Sequence, residues 1–161
     1  MKNIRHLELF AGIGGFRRAI DLFAKDNSYR STCIGYSEFD KYAGLTYKSN
    51  FDNDRAIDMG DIIDFNDDIA NIRKLKDFNI LSGGFPCQPF SSMGNKKGLD
   101  DSRGNLFYEI VKILQIKNPE IIILENVRNF KNHDEGRTFS TVKRILTEEC
   151  GYNVYWDVFN T

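Results

Sequence analysis

Arg5-His6-Leu7-Glu8-Leu9-Phe10-Ala11-Gly12-Ile13-Gly14-Gly15-Phe16 runs from a mostly apolar segment through a glycine-rich turn into Phe16, Ala19, Ile20 and Phe23 at helical spacing. Strand, tight turn and helix in that order open a βαβ unit, and the glycines let backbone come close to a ligand. The alternation continues: strand-like Ser31–Ser37, a helical face of Tyr42, Leu45 and Thr46, a short extended Ala56–Met59, and a helix around Asp68–Leu75. Then come strand Phe78–Leu81, a long loop from Ser82 to Arg103, and a helix face of Leu106, Phe107, Ile110, Val111 and Leu114. Buried strand Ile121–Leu124, a helix face of Phe139, Val142, Ile145 and Leu146, and a last strand Asn153–Phe159 complete the chain. This order predicts an α/β fold with a mostly parallel sheet and helices on both faces.

The 161 residues suit one domain with a sizeable core, and 28% charged with 41% hydrophobic residues is ordinary for a soluble protein. The longest apolar run, Ile121–Leu124, cannot span a bilayer, and no secretory signal precedes the first strand, so a cytoplasmic location without membrane attachment is expected. Three cysteines without a CxxC pair exclude a disulfide framework, and His6 and His133 stand apart without ligands at metal spacing, so no metal site is expected. The net charge of −1 lacks the basic excess of a self-sufficient DNA-binding domain.

Gly83-Gly84-Phe85-Pro86-Cys87-Gln88-Pro89-Phe90-Ser91 follows the strand Phe78–Leu81, at the carboxyl end where open α/β sheets bind ligands. Two glycines permit tight turns and two prolines stiffen the chain around the thiol, which suits a nucleophile held in a fixed direction. Cys33, inside a strand-like run, and Cys150, ending a helix before Gly151, fit the commoner role of a small buried hydrophobe. The irregular segment Ser91–Asn105 carries Lys96, Lys97 and Arg103 and reads as a substrate-closing lid or a solvated loop.

The first turn fails the dinucleotide fingerprint G-x-G-x-x-G, because Arg17 occupies the third glycine position. Glu38 ends the second strand, where an acid can accept from ribose hydroxyls; Phe39 can lie against adenine, and Asp61 in Gly60-Asp61-Ile62 can accept from an exocyclic amine. Singly, these residues could be turn caps or core. Together, at successive strand ends, they describe an adenosine pocket. Glu125-Asn126-Val127 adds a carboxylate at the edge where Cys87 stands, with a helix cap as the alternative role of Glu125. Thiol and carboxylate beside adenosine suit methyl transfer from S-adenosylmethionine to a pyrimidine carbon.

In these motifs the chain resembles bacterial cytosine-5 DNA methyltransferases of restriction-modification systems, and the resemblance covers nearly all of its length. The family's first motif is similar to Phe10–Phe16, its acidic second motif to Glu38-Phe39, and its third to Gly60-Asp61-Ile62. Its catalytic motif is similar to Gly83–Ser91, its ENV motif to Glu125–Val127, and the segment after its mobile loop to Arg103–Phe107. The resemblance implies a Rossmann-like methyltransferase fold, with Cys87 and Glu125 catalytic. It further implies a cofactor site of Phe10, Gly12, Gly14, Gly15, Glu38, Phe39, Asp61, Ile62, Pro86 and Leu106 for S-adenosylmethionine, released as S-adenosylhomocysteine. Gln88, Ser91, Lys96, Lys97, Arg103, Asn126 and Arg128 would face double-stranded DNA with a flipped cytosine.

Residues 1–161 would then be a partial catalytic domain, incomplete at its C-terminus, with the family's target recognition domain and C-terminal helix on a further part of the same chain or a second polypeptide. Phe39 stands where many relatives have tryptophan and keeps a stacking surface. A transfer-RNA cytosine methyltransferase, which shares Pro-Cys-Gln, and a non-catalytic or split-enzyme cofactor-binding fragment stay open as alternatives. A NAD-linked oxidoreductase is disfavoured by Arg17 and leaves Cys87 unexplained.

Overall fold

In the computed structural model, which describes residues 2–51, 55–86 and 106–159, a single sheet contains five parallel strands in the order β3-β2-β1-β4-β5. β1 (Asn3–Leu9) is central, flanked by β2 (Arg30–Ser37) and β4 (Ile80–Gly84), with β3 (Ile57–Asp58) and β5 (Ile121–Glu125) outermost. The strand order reverses beside β1, so the chain ends leaving β1 and β4 diverge and open a crevice at the sheet's carboxyl edge.

The two faces of β1 differ in chemistry. Leu7 and Leu9 point into the main core with Leu81, Ile110, Ile113 and Leu114. That side is covered by α3 (Ile62–Asp67), α4 (Ile69–Lys74) and α5 (Leu106–Lys117), the last buried along most of its circumference. Each such Leu, Ile or Phe contributes about 1.5–3 kcal/mol by leaving water. On the opposite face His6, Glu8 and Ser82 are fully buried, and α1 (Gly15–Asp26) covers them with Arg17 and Asp21. Helices therefore lie on both faces, as expected.

The polar face of β1 explains one correction. Periodicity pointed to Phe16, Ala19, Ile20 and Phe23 on the inner side of α1, but the helix buries Arg17, Ile20 and Ala24 and exposes Phe23. A guanidinium suits a floor of Glu8 and His6 better than a phenyl ring. In α2 (Lys41–Asn50) the expected face is also turned outward: Tyr42 and Leu45 are exposed, whereas Tyr47 is buried and stacks on Tyr36 with centroids 3.9 Å apart. Asp68 adopts an extended conformation and caps α4 through the Ala70 N–H, so the region expected as one helix around Asp68–Leu75 begins at that break.

Two further corrections concern the far edge. β5 is half open, with Ile121 50% and Ile123 41% exposed, where full burial was expected. Asn153–Phe159 forms no strand. Its alternating apolar residues are strand-like, but a strand requires a ladder partner, and among the described residues none pairs with it. α6 (Arg137–Arg144) is preceded by a kinked 3₁₀ stretch, Arg128–Gly136, and continues as one π turn, Ile145–Glu149, to the expected left-handed Gly151.

Candidate active site

The β1–α1 turn is built on unusual backbone. Phe10, Gly12 and Gly14 all have positive φ, and Phe10 lacks glycine's freedom. A bulky residue in the left-handed region costs about 1–2 kcal/mol, so its surroundings must hold it. Ala11 N–H donates to the Ser37 carbonyl at 2.9 Å and Gly14 N–H to the Ala11 carbonyl at 2.8 Å. Gly14 is required by space as well, since a β-carbon would overlap the Phe51 ring. At Gly15 a β-carbon would meet nothing within 4 Å, which leaves that face of the turn open.

Glu38 ties this turn to the end of β2. Its Oε2 accepts from Gly12 N–H at 2.6 Å and its Oε1 from Asp40 N–H at 2.7 Å. The neighbouring Phe39 is 80% exposed, an aromatic face held at the edge with no core role. Asp61 follows Gly60 and caps α3 through Ile63 N–H at 2.8 Å, so the capping role foreseen as an alternative is present. Gly60 is positioned in turn by Ser37, whose hydroxyl donates to its carbonyl at 2.8 Å. The structure thus brings Gly12, Gly14, Gly15, Glu38, Phe39 and Asp61 to one sheet edge. Ile62, 2% exposed, packs its side chain into the core beside Asp61.

The second half of the edge is the junction of β4 and β5, whose chain leads on from Pro86 to Cys87. Phe85 is buried between Phe107 and Phe130, with ring centroids 5.6 Å and 5.5 Å away. Its carbonyl accepts from the side-chain amide of Asn126 at 2.7 Å. Asn126, expected to face substrate, cross-links the two loops, its Oδ1 also accepting from Val127 N–H at 2.9 Å. Glu125 lies beside this link, and a β-carbon on Gly84 would stand 2.8 Å from its Oε2. The Glu125 carboxylate thus leans over Gly84. Pro86 and Arg128 are exposed and Leu106 half-buried at the start of α5. Cys87, Gln88, Ser91, Lys96, Lys97 and Arg103, with the expected lid, lie outside the described residues.

Sequence reasoning missed three residues of this site. Gly84 was valued for turning, not for the space it leaves, and only the register Gly84↔Glu125 reveals that space. Glu8 was passed over as part of an apolar strand, although a carboxylate between Leu7 and Leu9 is itself a signal. Arg17 was read only as a missing glycine; it packs its guanidinium 4.0 Å from the Phe51 ring centre and donates to the Tyr47 hydroxyl at 3.4 Å.

The family model for C-5 cytosine-specific DNA methylases matches residues 4–161. The chain belongs to that family. It is 39% identical over 160 residues to the type II methyltransferase M.HhaI of Haemophilus parahaemolyticus, covering 99% of this chain and 44% of that protein. It is 44% identical over 153 residues to M1.ScrFI of Lactococcus lactis subsp. cremoris, covering 95% and 36%, and 44% identical over 152 residues to M.NlaX of Neisseria lactamica, covering 94% and 45%. The chain thus spans less than half the length of these curated relatives. Among solved structures, the S. pombe Dnmt2 methyltransferase superposes with a TM-score of 0.58 at 24% identity, over 93% of this chain and 41% of that one. The fold is accordingly the Rossmann-like methyltransferase fold. Among the described residues, no helix is long and apolar enough to cross a membrane.

Proposed function

We propose that the protein methylates C5 of cytosine in double-stranded DNA, with S-adenosylmethionine as donor, in a restriction-modification system. The observation that carries the reading is the junction of β4 and β5, where Glu125 leans over Gly84 and Asn126 holds the Phe85 carbonyl, two residues before Cys87 in the chain. Family membership and the type II methyltransferases among the relatives support DNA as the substrate.

The residues at the other half of the edge fit the cofactor. The open face at Gly15, the Glu38 carboxylate and the exposed Phe39 ring suit an adenosine whose ribose is held by an acid and whose base meets an aromatic face. When bound, S-adenosylmethionine supplies the electrophilic methyl group and leaves as S-adenosylhomocysteine. Glu38 would accept from the ribose hydroxyls, Phe39 would cover adenine, and Asp61 would accept from the exocyclic amine; Phe10, Gly12, Gly14, Pro86 and Leu106 would shape the walls.

Cytosine C5 is a weak nucleophile, so Cys87 has to activate it. The thiolate forms a bond to C6 while the ring's electron pair shifts toward C5, and Glu125 hydrogen-bonds N3 to stabilise the developing charge. After C5 gains its methyl group, the C5 proton leaves to a base and the S–C6 bond breaks, which returns the thiolate. C6 is shielded in a stacked duplex, so the base has to be flipped out at a cost of a few kcal/mol. Gln88, Ser91, Lys96, Lys97, Arg103 and Arg128 would hold the displaced strand and the base, together with the remainder of the polypeptide that the relatives' greater length suggests.

DNA containing 5-fluorocytosine tests the reading, because fluorine cannot leave C5 as a proton does. With S-adenosylmethionine, the full-length protein is expected to give a covalent adduct that peptide mapping places on Cys87. An adduct on another residue, or none while the protein turns over normal DNA, overturns the assignment.

A further inference from the structure

The β1–α1 turn would present an adenine cofactor with the amino end of a helix, where dinucleotide-binding proteins hold phosphate. In this protein a carboxylate of the chain itself fills that end. Glu8 is fully buried on β1, and Arg17 N–H, in the first turn of α1, donates to its Oε1 at 3.2 Å. Gly14, the residue at the helix start, has no side chain to cap it, and the first turn contains no acid, so the carboxylate on the first-turn amides is Glu8, while Glu38 accepts from Gly12 N–H in the turn before the helix. Asp21 lies within 4.0 Å of His6 and 3.8 Å of Arg17, so two acids face one guanidinium in this cluster.

Keeping that acid is costly. Burial pushes the Glu8 carboxyl upward, and the amides of Arg17 and Phe16, the Tyr47 hydroxyl and the Arg17 charge pull it back only in part. A glutamine could accept the same Arg17 N–H without desolvating a charge. Capping alone therefore leaves the carboxylate unexplained.

We propose that Glu8 sets the charge selectivity of the cofactor site, cancelling the positive end of α1 so that the adjoining glycine turn favours a cationic, phosphate-free adenosine cofactor over adenine nucleotides. This rests on the reading of that edge as an S-adenosylmethionine site. A helix end that already holds one anion has neither the free donors nor the positive potential to take a second. The sulfonium of S-adenosylmethionine has the opposite sign and gains from the same carboxylate.

Calorimetric titration of the protein with adenosine, 5′-AMP, S-adenosylmethionine and S-adenosylhomocysteine reads the effect directly. The unaltered protein is expected to bind 5′-AMP at least tenfold more weakly than adenosine. Glu8→Gln is expected to shrink that gap to threefold or less and to lower the ratio of S-adenosylmethionine to S-adenosylhomocysteine affinity at least threefold. A merely structural residue would weaken all four ligands alike. That outcome, or equal binding of adenosine and 5′-AMP by the unaltered protein, overturns the proposal while the cofactor site stands. If none of the four binds, the cofactor reading itself falls. Equal binding of the two by the unaltered protein overturns the proposal even if the variant does not fold.

Discussion

Glu38 satisfies two backbone amides at once, one from the β1–α1 turn and one from its own loop, so it braces the wall of the proposed pocket. Removing it leaves Gly12 N–H and Asp40 N–H without their acceptor and deletes the proposed ribose contact; a lost hydrogen bond of this kind costs about 1–3 kcal/mol. Glu38→Ala is therefore expected to weaken S-adenosylmethionine binding by roughly tenfold or more at about 1.4 kcal/mol per decade, and unchanged affinity by calorimetry would remove Glu38 from the site. Glu125 belongs to the other half of the edge and makes the opposite prediction. Glu125→Gln is expected to reduce turnover with little change in cofactor affinity, as for a group acting mainly in the transition state. The acids Glu38, Asp61 and Glu125 could be singled out in sequence because each stands at, or within three residues after, the carboxyl end of a strand. Gly84 and Asn126 could not, since their tasks exist only across the β4–β5 register.

Among the elements, α5 shows how a helix is fixed at its end. Lys117, whose side chain is only 8% exposed, lies 3.5 Å from Asp77 and donates to the carbonyls of Arg73, at 3.1 Å, and Leu75. It thereby satisfies carbonyls at the end of α4 that have no partner inside the helix, and locks α4 to α5 beneath the main core. Hydrogen bonds from a charged donor contribute about 1.5–3 kcal/mol, so Lys117→Met should lower the urea midpoint by that much stability with an unchanged m-value. A midpoint within error of the parent would mean that solvent replaces these bonds at no cost. Element type and order followed from apolar periodicity, because β1, β2, β4 and α5 each bury the residues their patterns single out. The orientation of α1 and α2 did not follow. Periodicity finds the most apolar side of a helix, whereas α1 rests on a strand face of His6 and Glu8, and α2 contributes a single buried ring, Tyr47. Asn153–Phe159 was misread for a related reason: alternation describes a segment's own faces and carries no information on whether a neighbour completes the ladder.

At the scale of the whole molecule, the cofactor half and the DNA half of the proposed chemistry are unequally supported by these 161 residues. Five parallel strands and their helices enclose a core that runs under the glycine turn, Glu38 and Asp61, so a cofactor pocket can form on it. Binding duplex DNA asks for more: a basic surface for phosphates, and groups that hold a flipped base against the restacking force. A net charge of −1 supplies no basic excess, and the matched relatives devote more than half of their length to residues beyond this match. β5 also presents Ile121 and Ile123 half exposed, and the unpaired run Asn153–Phe159 leaves Tyr155 and Phe159 outside. Reacting groups have to be held within about 3–3.5 Å in a near-attack geometry, so a partial clamp loses far more rate than binding. The 161-residue chain alone is accordingly expected to bind S-adenosylhomocysteine yet transfer no methyl groups to DNA above a Cys87→Ser control, measured by tritium incorporation from labelled S-adenosylmethionine. Adding the remaining part of a full-length relative as a separate polypeptide is expected to restore incorporation if the two portions dock at the open side of β5. Cys87-dependent transfer by the 161 residues without any partner would show that the groups needed to flip and hold the base all reside in this segment.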